Sequence, residues 1–172
     1  MTILHIDSSI NGDNSASREV SGSIVNQLKG ALWGEKIIYR DLAANPLPHL
    51  TLEAFADTIV IGAPMYNFTL PTQLKAWIDR IVIAGKTFQY GANGPEGLAK
   101  GKRVIIAIAR GGIYSEGAPA VALEHVETYL RGVFNLIGIE PEFVVAEGVN
   151  LSPEHRVAAI EQAIGETFRL AA

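Results

Sequence analysis

Cysteine is absent from the chain, which removes disulfide cross-links, thiolate metal sites and every cysteine nucleophile, thioredoxin-like exchange included. Charge is sparse: 19% of residues are charged and the formal net charge is -4. That excess is too small for an acidic tail, and no Lys/Arg cluster offers a footprint on nucleic acid. No apolar run approaches the ~20 residues of a membrane span. The opening "MTILHIDSS" has no basic stretch before its apolar residues, so a protein that stays in the cytoplasm is expected. The four histidines, His5, His49, His125 and His155, stand singly. No metal-ligand cluster forms around them, so no metal is expected and structural or surface roles are. Repeats, linkers and low-complexity segments are missing too, and 172 residues at 48% hydrophobic content fit one domain over 1–172.

What the chain does have is alternation. Short β-branched runs, "TILHI" (2–6), "KIIYR" (36–40), "TIVIGA" (58–63), "RVIIAIA" (103–109) and "EFVVAE" (142–147), are separated by segments of helical period. Val20, Ile24, Val25 and Leu28 share one helical face; so do Leu74, Ile78, Ile81 and Val82, and Val126, Leu130, Val133 and Ile137. A final helix starts with Ser152 as N-cap and Pro153 at its first position, with Val157, Ile160, Ile164 and Phe168 as its apolar face. Strands apolar on both faces need cover on both, which predicts an α/β domain with a parallel sheet between helix layers. One crossover is thin. Between Arg40 and Thr58 only "LTLEAFAD" can form helix, about two turns after two prolines. An apolar face left open there invites a partner subunit.

In a doubly wound sheet, ligands bind beyond the carboxyl ends of the strands. The loop there after the first strand, "DSSINGDNSASR" (7–18), holds four serines and leads into a helix N-terminus, whose free N–H groups and dipole suit a phosphate. Ser15 or Ser17 capping that helix is the competing reading. The loop is neither G-x-x-x-x-G-K-[ST] nor G-x-G-x-x-G, which favours a phosphomonoester over a hydrolysed triphosphate. The third strand ends in "APMYNFTLP" (63–71), where Met65, Tyr66, Asn67 and Phe68 are large side chains for a loop and suit a flat ligand. The fourth ends in "ARGGIYSEG" (109–117), whose paired glycines admit a ring with carbonyl edges and whose Tyr114 is placed to stack on it or cap it. Phosphate cradle, aromatic and amide wall, and glycine wall together describe a site for flavin mononucleotide, FMN.

"SSINGDNSAS", "APMYNFTLPTQLKAWIDR", "TFQYGANGPEGLAKGKRV" and "ARGGIYSEG" resemble the FMN-dependent NADH:quinone oxidoreductase and azoreductase family, once labelled acyl carrier protein phosphodiesterase. The likeness runs in order along nearly the whole chain. It implies a flavodoxin-like five-stranded parallel sheet of order 2-1-3-4-5, a homodimer, and hydride passage from NADH or NADPH through FMN to quinones or azo compounds by a ping-pong mechanism. By that resemblance Ser9, Ser15, Ala16 and Ser17 hold the FMN phosphate. Met65, Tyr66, Asn67 and Phe68 line one side of the isoalloxazine; Ala109, Arg110, Gly111 and Gly112 line the other, with Tyr114 at its edge. Asn67 and Tyr114 are the candidate catalytic residues, Asn67 by bonding the polar ring edge and Tyr114 as proton donor or gate.

The chain departs from the family in having Ala109 where serine often precedes "RGG", and in lacking a helical segment between the second and third strands. The alternative reading is a flavodoxin-like electron-transfer or regulatory flavoprotein without small-molecule turnover; the modest net charge gives it no strongly charged docking face. A hydrolase is disfavoured: "GLAKGKR" is one residue short of a Walker loop, Arg103 follows Lys102 where Ser or Thr is required, and no Ser–His–Asp arrangement stands out.

Overall fold

The computed structural model describes residues 2–31, 36–45 and 56–168. Five strands form one parallel sheet: β1 (Thr2–Asp7), β2 (Lys36–Asp41), β3 (Thr58–Pro64), β6 (Arg103–Ala109) and β7 (Glu142–Ala146). Their order is β2-β1-β3-β6-β7, the 2-1-3-4-5 winding expected when only these strands are numbered. Helices α1 (Ala16–Ala31) and α4 (Pro153–Thr167) lie on one face, α2 (Thr72–Ile81) and α3 (Glu127–Leu136) on the other.

The period of two in each strand explains the two layers. Leu4, Ile6, Ile59, Ile61, Val104 and Ile106 pack with Leu74 and Trp77 of α2 and Leu130 and Phe134 of α3. Ile3, Val60, Ile105 and Ala107, the alternate positions, pack with Val20, Ile24 and Leu28 of α1 and Ile160 and Ala163 of α4. Every residue of β3 is buried, as a strand covered on both faces must be. Each large aliphatic side chain so buried contributes about 1.5–3 kcal/mol. Arg103 and Glu142 pair across the neighbouring strands β6 and β7, with Nε donating to Oε1 at 2.7 Å.

Three details depart from expectation. The face of α4 is Ile160, Ala163 and Thr167, while Val157 and Phe168 point outward at 56% and 67% exposure. Phe168 is the C-cap beyond the last helical residue, and Val157 lies off the face that Ile160 and Ala163 present to the core, so period alone misplaces both. Val82 and Val126 flank α2 and α3 rather than lying within them. Residues 88–97 form an antiparallel hairpin, β4 (Phe88–Gly91) and β5 (Gly94–Gly97), too short and glycine-rich to announce itself by alternation. The helical turns expected for "LTLEAFAD" fall mostly outside the described residues. At the ends of that crossover, Leu42 and Ala56 are buried in the α2/α3 core.

Register puts the carboxyl ends of the strands at one edge. Asp7 pairs with Gly62, Pro64 with Ala109, and Ala109 with Ala146. The loops that follow β1, β3, β6 and β7 therefore meet beyond that edge, and the winding reverses between β1 and β3.

Candidate functional site

The loop after β1 is a cradle of buried hydroxyls. Ser9, Ser15 and Ser17 are only 1%, 3% and 1% exposed. Ser15 caps α1, its Oγ accepting the Arg18 N–H at 3.3 Å, and its hydroxyl shares a hydrogen bond with that of Ser17 at 3.1 Å. Ser9 Oγ accepts the Asn11 N–H at 3.2 Å and lies 3.2 Å from the Tyr66 hydroxyl, so the loop after β3 closes over the cradle. The capping reading and the anion-binding reading are compatible. Ser15 satisfies one first-turn donor, and the N–H groups of Ala16 and Ser17 have no acceptor among the described residues. These donors at a helix N-terminus fit a phosphate.

Beneath the cradle lies a polar network. Arg18 donates to Asp41 Oδ2 at 2.7 Å, to the Ser9 carbonyl at 2.7 Å and to the Tyr39 hydroxyl at 3.0 Å. Tyr39 donates to Asp7 Oδ2 at 3.0 Å; burial, then the Asp7 carboxylate, push its phenol up to about 12. The hydrogen bond from Arg18 holds the Asp41 carboxyl below its ordinary value, against the pull of burial. Ser21 Oγ donates to Asp7 Oδ1 at 2.9 Å and lies 3.0 Å from His5 Nε2. Serine, histidine and aspartate thus meet after all, but Ser21 is fully buried and lies under the sheet edge, where no acyl or phosphoryl group reaches it. A nucleophile needs access, so this trio is structural. Gly62 makes the room: a Cβ there would stand 2.5 Å from Asp7 Oδ1.

The loop after β3 makes the tightest turn in the site. Tyr66 and Thr69 exchange backbone hydrogen bonds of 2.8 and 3.1 Å around Asn67 and Phe68, whose φ angles are 48° and 70°. Both central residues are left-handed, as in a type I′ turn, whose usual second residue is glycine. Phe68 sits there nonetheless, 42% exposed, with its ring 6.3 Å edge-on from that of Tyr114. Such backbone strain clusters where a ligand must be met.

The loop after β6 supplies the facing wall. The carbonyls of Arg110, Gly111 and Gly112 accept from Val149, Asn150 and Gly148, and the N–H groups of Gly111 and Gly112 have no acceptor among the described residues. Gly111 is dictated by proximity, since a Cβ would meet Asn150 Nδ2 at 2.7 Å. The Arg110 guanidinium faces away from this wall. It is 3% exposed and contacts Glu127 at 2.8 Å, Glu147 at 2.9 Å and Glu124 at 3.2 Å. Only its backbone is placed to line the ring site, and its charge is spent on carboxylates, not on a phosphorylated dinucleotide.

One cavity of about 80 Å³ gathers Ser9, Ser15 and Ala16 of the cradle with Met65, Tyr66, Ala109 and Gly111. Ser17 stands behind Ser15, whereas Asn67, Phe68, Gly112 and Tyr114 lie outside its lining. Asn150 and Arg156 also line it. Sequence reading missed both, because the stretch after the last strand signals only a helix start; the shared loop edge was the clue. Two larger hollows, about 560 and 480 Å³, flank Arg110 and are lined by Glu116 and Glu127 among others, carboxylates that repel a phosphate.

The chain matches the model of a family described as having a flavodoxin-like fold over residues 1–169. It is 51% identical over 193 residues to FMN-dependent NADH:quinone oxidoreductase 2 of Bradyrhizobium diazoefficiens, covering 95% of this chain and 96% of the relative. This chain belongs to the FMN-dependent NADH:quinone oxidoreductase family. A second member, from Methylorubrum extorquens, is 49% identical over 202 aligned positions, with both chains fully covered. Those 202 aligned positions exceed the 172 residues here by 30, so the alignment opens gaps on the side of this chain. An FMN-dependent NADH-azoreductase from Bacillus anthracis, solved in complex with FMN, superposes with a TM-score of 0.83 at 26% identity, covering 100% of each chain. Within the family fold, the cradle and the glycine wall fit the two ends of FMN: unpaired N–H groups at a serine-lined helix start for the phosphate, and unpaired glycine N–H groups for the ring carbonyls.

Proposed function

We propose that this protein is an FMN-dependent oxidoreductase that passes reducing equivalents from NADH or NADPH to quinones and azo compounds. The observation that carries this reading is the pairing of two sets of unsatisfied backbone donors at one sheet edge, Ala16 and Ser17 on the cradle and Gly111 and Gly112 on the facing wall, in a chain half identical to named FMN-dependent quinone oxidoreductases. FMN, when bound, supplies the two-electron chemistry between nicotinamide and acceptor. The protein's part is to bind, orient and polarise.

Ser9, Ser15 and Ala16, which line one cavity, and Ser17 behind Ser15 would hold the phosphate through hydroxyls and N–H groups. Met65, Tyr66 and Ala109 would bound the ring, and the N–H groups of Gly111 and Gly112, on a backbone fixed by strand-like bonds to residues 148–150, would donate to its carbonyl edge and favour negative charge there. Asn67, on the turn after β3, would hydrogen-bond the polar edge through its amide. Phe68 and Tyr114, in edge contact, form a packed rim against which a flat nicotinamide or quinone would stack. Reductant and acceptor share that rim in turn, which is the basis for ping-pong turnover. The protein acts as a cytoplasmic homodimer in this reading; no helix among the described residues is long and apolar enough to cross a membrane.

The test is the visible spectrum of protein soaked with FMN and desalted, then treated anaerobically with NADH and with a benzoquinone. The expected result is a retained flavin spectrum that bleaches with NADH and returns with quinone. Protein that emerges colourless sinks the reading, and bleaching without recovery on quinone would point to electron transfer towards a protein partner.

A further inference from the structure

We propose that Arg156, from the first turn of α4, is the cation that neutralises the phosphate of the bound flavin. The proposal rests on the FMN reading above. Arg156 lines the same cavity as Ser9, Ser15 and Ala16, although it lies 142 residues away from the loop it meets. Its Nη2 donates to the Asn14 carbonyl at 2.8 Å, which anchors the guanidinium at the lip of the cradle with its remaining donors unassigned. Asn14 closes the one-turn helix Gly12–Asn14 that precedes α1, so the anchor fixes the side chain beside the helix start where Ala16 and Ser17 offer their N–H groups.

Charge balance makes this residue necessary. A phosphomonoester carries about -1.5 to -2 at neutral pH, and a helix N-terminus offers roughly +0.5. Serine hydroxyls add hydrogen bonds but no charge. The other nearby cation, Arg18, is committed to Asp41 at 2.7 Å and the Ser9 carbonyl at 2.7 Å, with Asp7 at 4.0 Å. Its charge is balanced beneath the cradle. Arg156 forms no ion pair with any described residue, and its planar fork suits two phosphate oxygens at once.

The experiment titrates apoprotein with FMN and, separately, with riboflavin, which has the same ring and no phosphate, by flavin fluorescence at low and high salt. R156A is expected to weaken FMN by about tenfold, the scale of a charge-assisted contact, while riboflavin affinity moves less than about twofold. R156K, which restores charge without the fork, is expected to fall between, and the salt dependence of FMN binding is expected to be shallower in R156A than in the unmodified protein. Equal loss of FMN and riboflavin would mean that Arg156 merely braces the Gly12–Asn14 turn, and would overturn the proposal. So would an unchanged FMN affinity. Unmodified protein that binds neither flavin overturns the FMN reading itself, a result separable from either of these.

Discussion

Phe68, at φ 70° after Asn67 at φ 48°, holds a backbone conformation that glycine adopts freely and a Cβ-bearing residue resists by about 1–2 kcal/mol. The ring is therefore kept against a local preference, and its edge contact with Tyr114 shows what it is kept for: joining the loop after β3 to the loop after β6. Two substitutions separate ring from backbone. Phe68→Gly and Phe68→Ala both delete the ring, but only glycine relieves the strain, so urea unfolding is expected to find the glycine variant more stable by about 1 kcal/mol. Equal stabilities would mean that the turn relaxes out of the left-handed region in solution. Asn67 gives a functional counterpart. Asn67→Ala is expected to lower turnover by about a hundredfold, the lower end of the range for losing one preorganised donor, while the desalted protein keeps its FMN absorbance. Unchanged steady-state rates would remove Asn67 from the ring.

At the scale of elements, the loop between β6 and α3 is held by charge. Arg110 sits among Glu124, Glu127 and Glu147, with Glu147 also accepting the Tyr114 N–H at 2.8 Å. Burial alone would raise the Glu147 carboxyl, but the N–H of Tyr114, the Arg110 guanidinium and the Ser115 hydroxyl outweigh it and leave the group below its ordinary value of 4.5. Glu124 is held low in the same way, with burial opposed by the N–H groups of Glu127 and Thr128 and by Arg110. A carboxyl depressed by folding stabilises the fold above its unfolded pKa, and that contribution disappears as pH falls through the folded value. The melting temperature is thus expected to hold steady towards neutral pH and to drop as the solution is acidified below about 4.5. Glu147→Gln is expected to flatten that acid limb, and an identical limb in the variant would show that other carboxylates carry it. The same cage divides Arg110 between two tasks. The backbone of 110–112 lies at the candidate site; the side chain ties the loop.

For the whole molecule, the winding places every functional loop on one edge and leaves apolar side chains exposed there. Phe68, Ile113, Val121, Leu123 and Leu151 are between 39% and 56% exposed, a distribution that a partner subunit would cover. Sedimentation velocity is expected to give twice the 18.5 kDa chain mass, and a monomer at micromolar concentration would show that this family member works with an open site. Most of the fold was legible beforehand. β3 and β6 are unbroken apolar runs because both faces are covered, and no other arrangement of such runs with helices between them is economical. The hairpin of 88–97 was not legible, since four-residue strands bounded by glycine carry no periodic signal. The site divided in the same way. Serines before a helix and glycines after a strand have chemistry that survives any neighbour, so Ser9, Ser15 and Gly111 could be named as candidates beforehand, and all three line one cavity; Asn150 and Arg156 join that lining only through the fold.

The sequence by itself determined the strand runs, the capped helix starts at Ser15 and Ser152, the absence of cysteine chemistry, and the loop motifs that carry the family likeness, because each depends on residue type and on spacing of a few positions. Tertiary structure alone decided which charges are free. Arg18, Arg110 and Arg156 are equal in the sequence, yet the first two are neutralised by carboxylates from other elements and the third lines the cradle with no carboxylate partner among the described residues. Electrostatic role is a property of distance in space, and distances between residues more than a hundred positions apart are set only when the sheet closes.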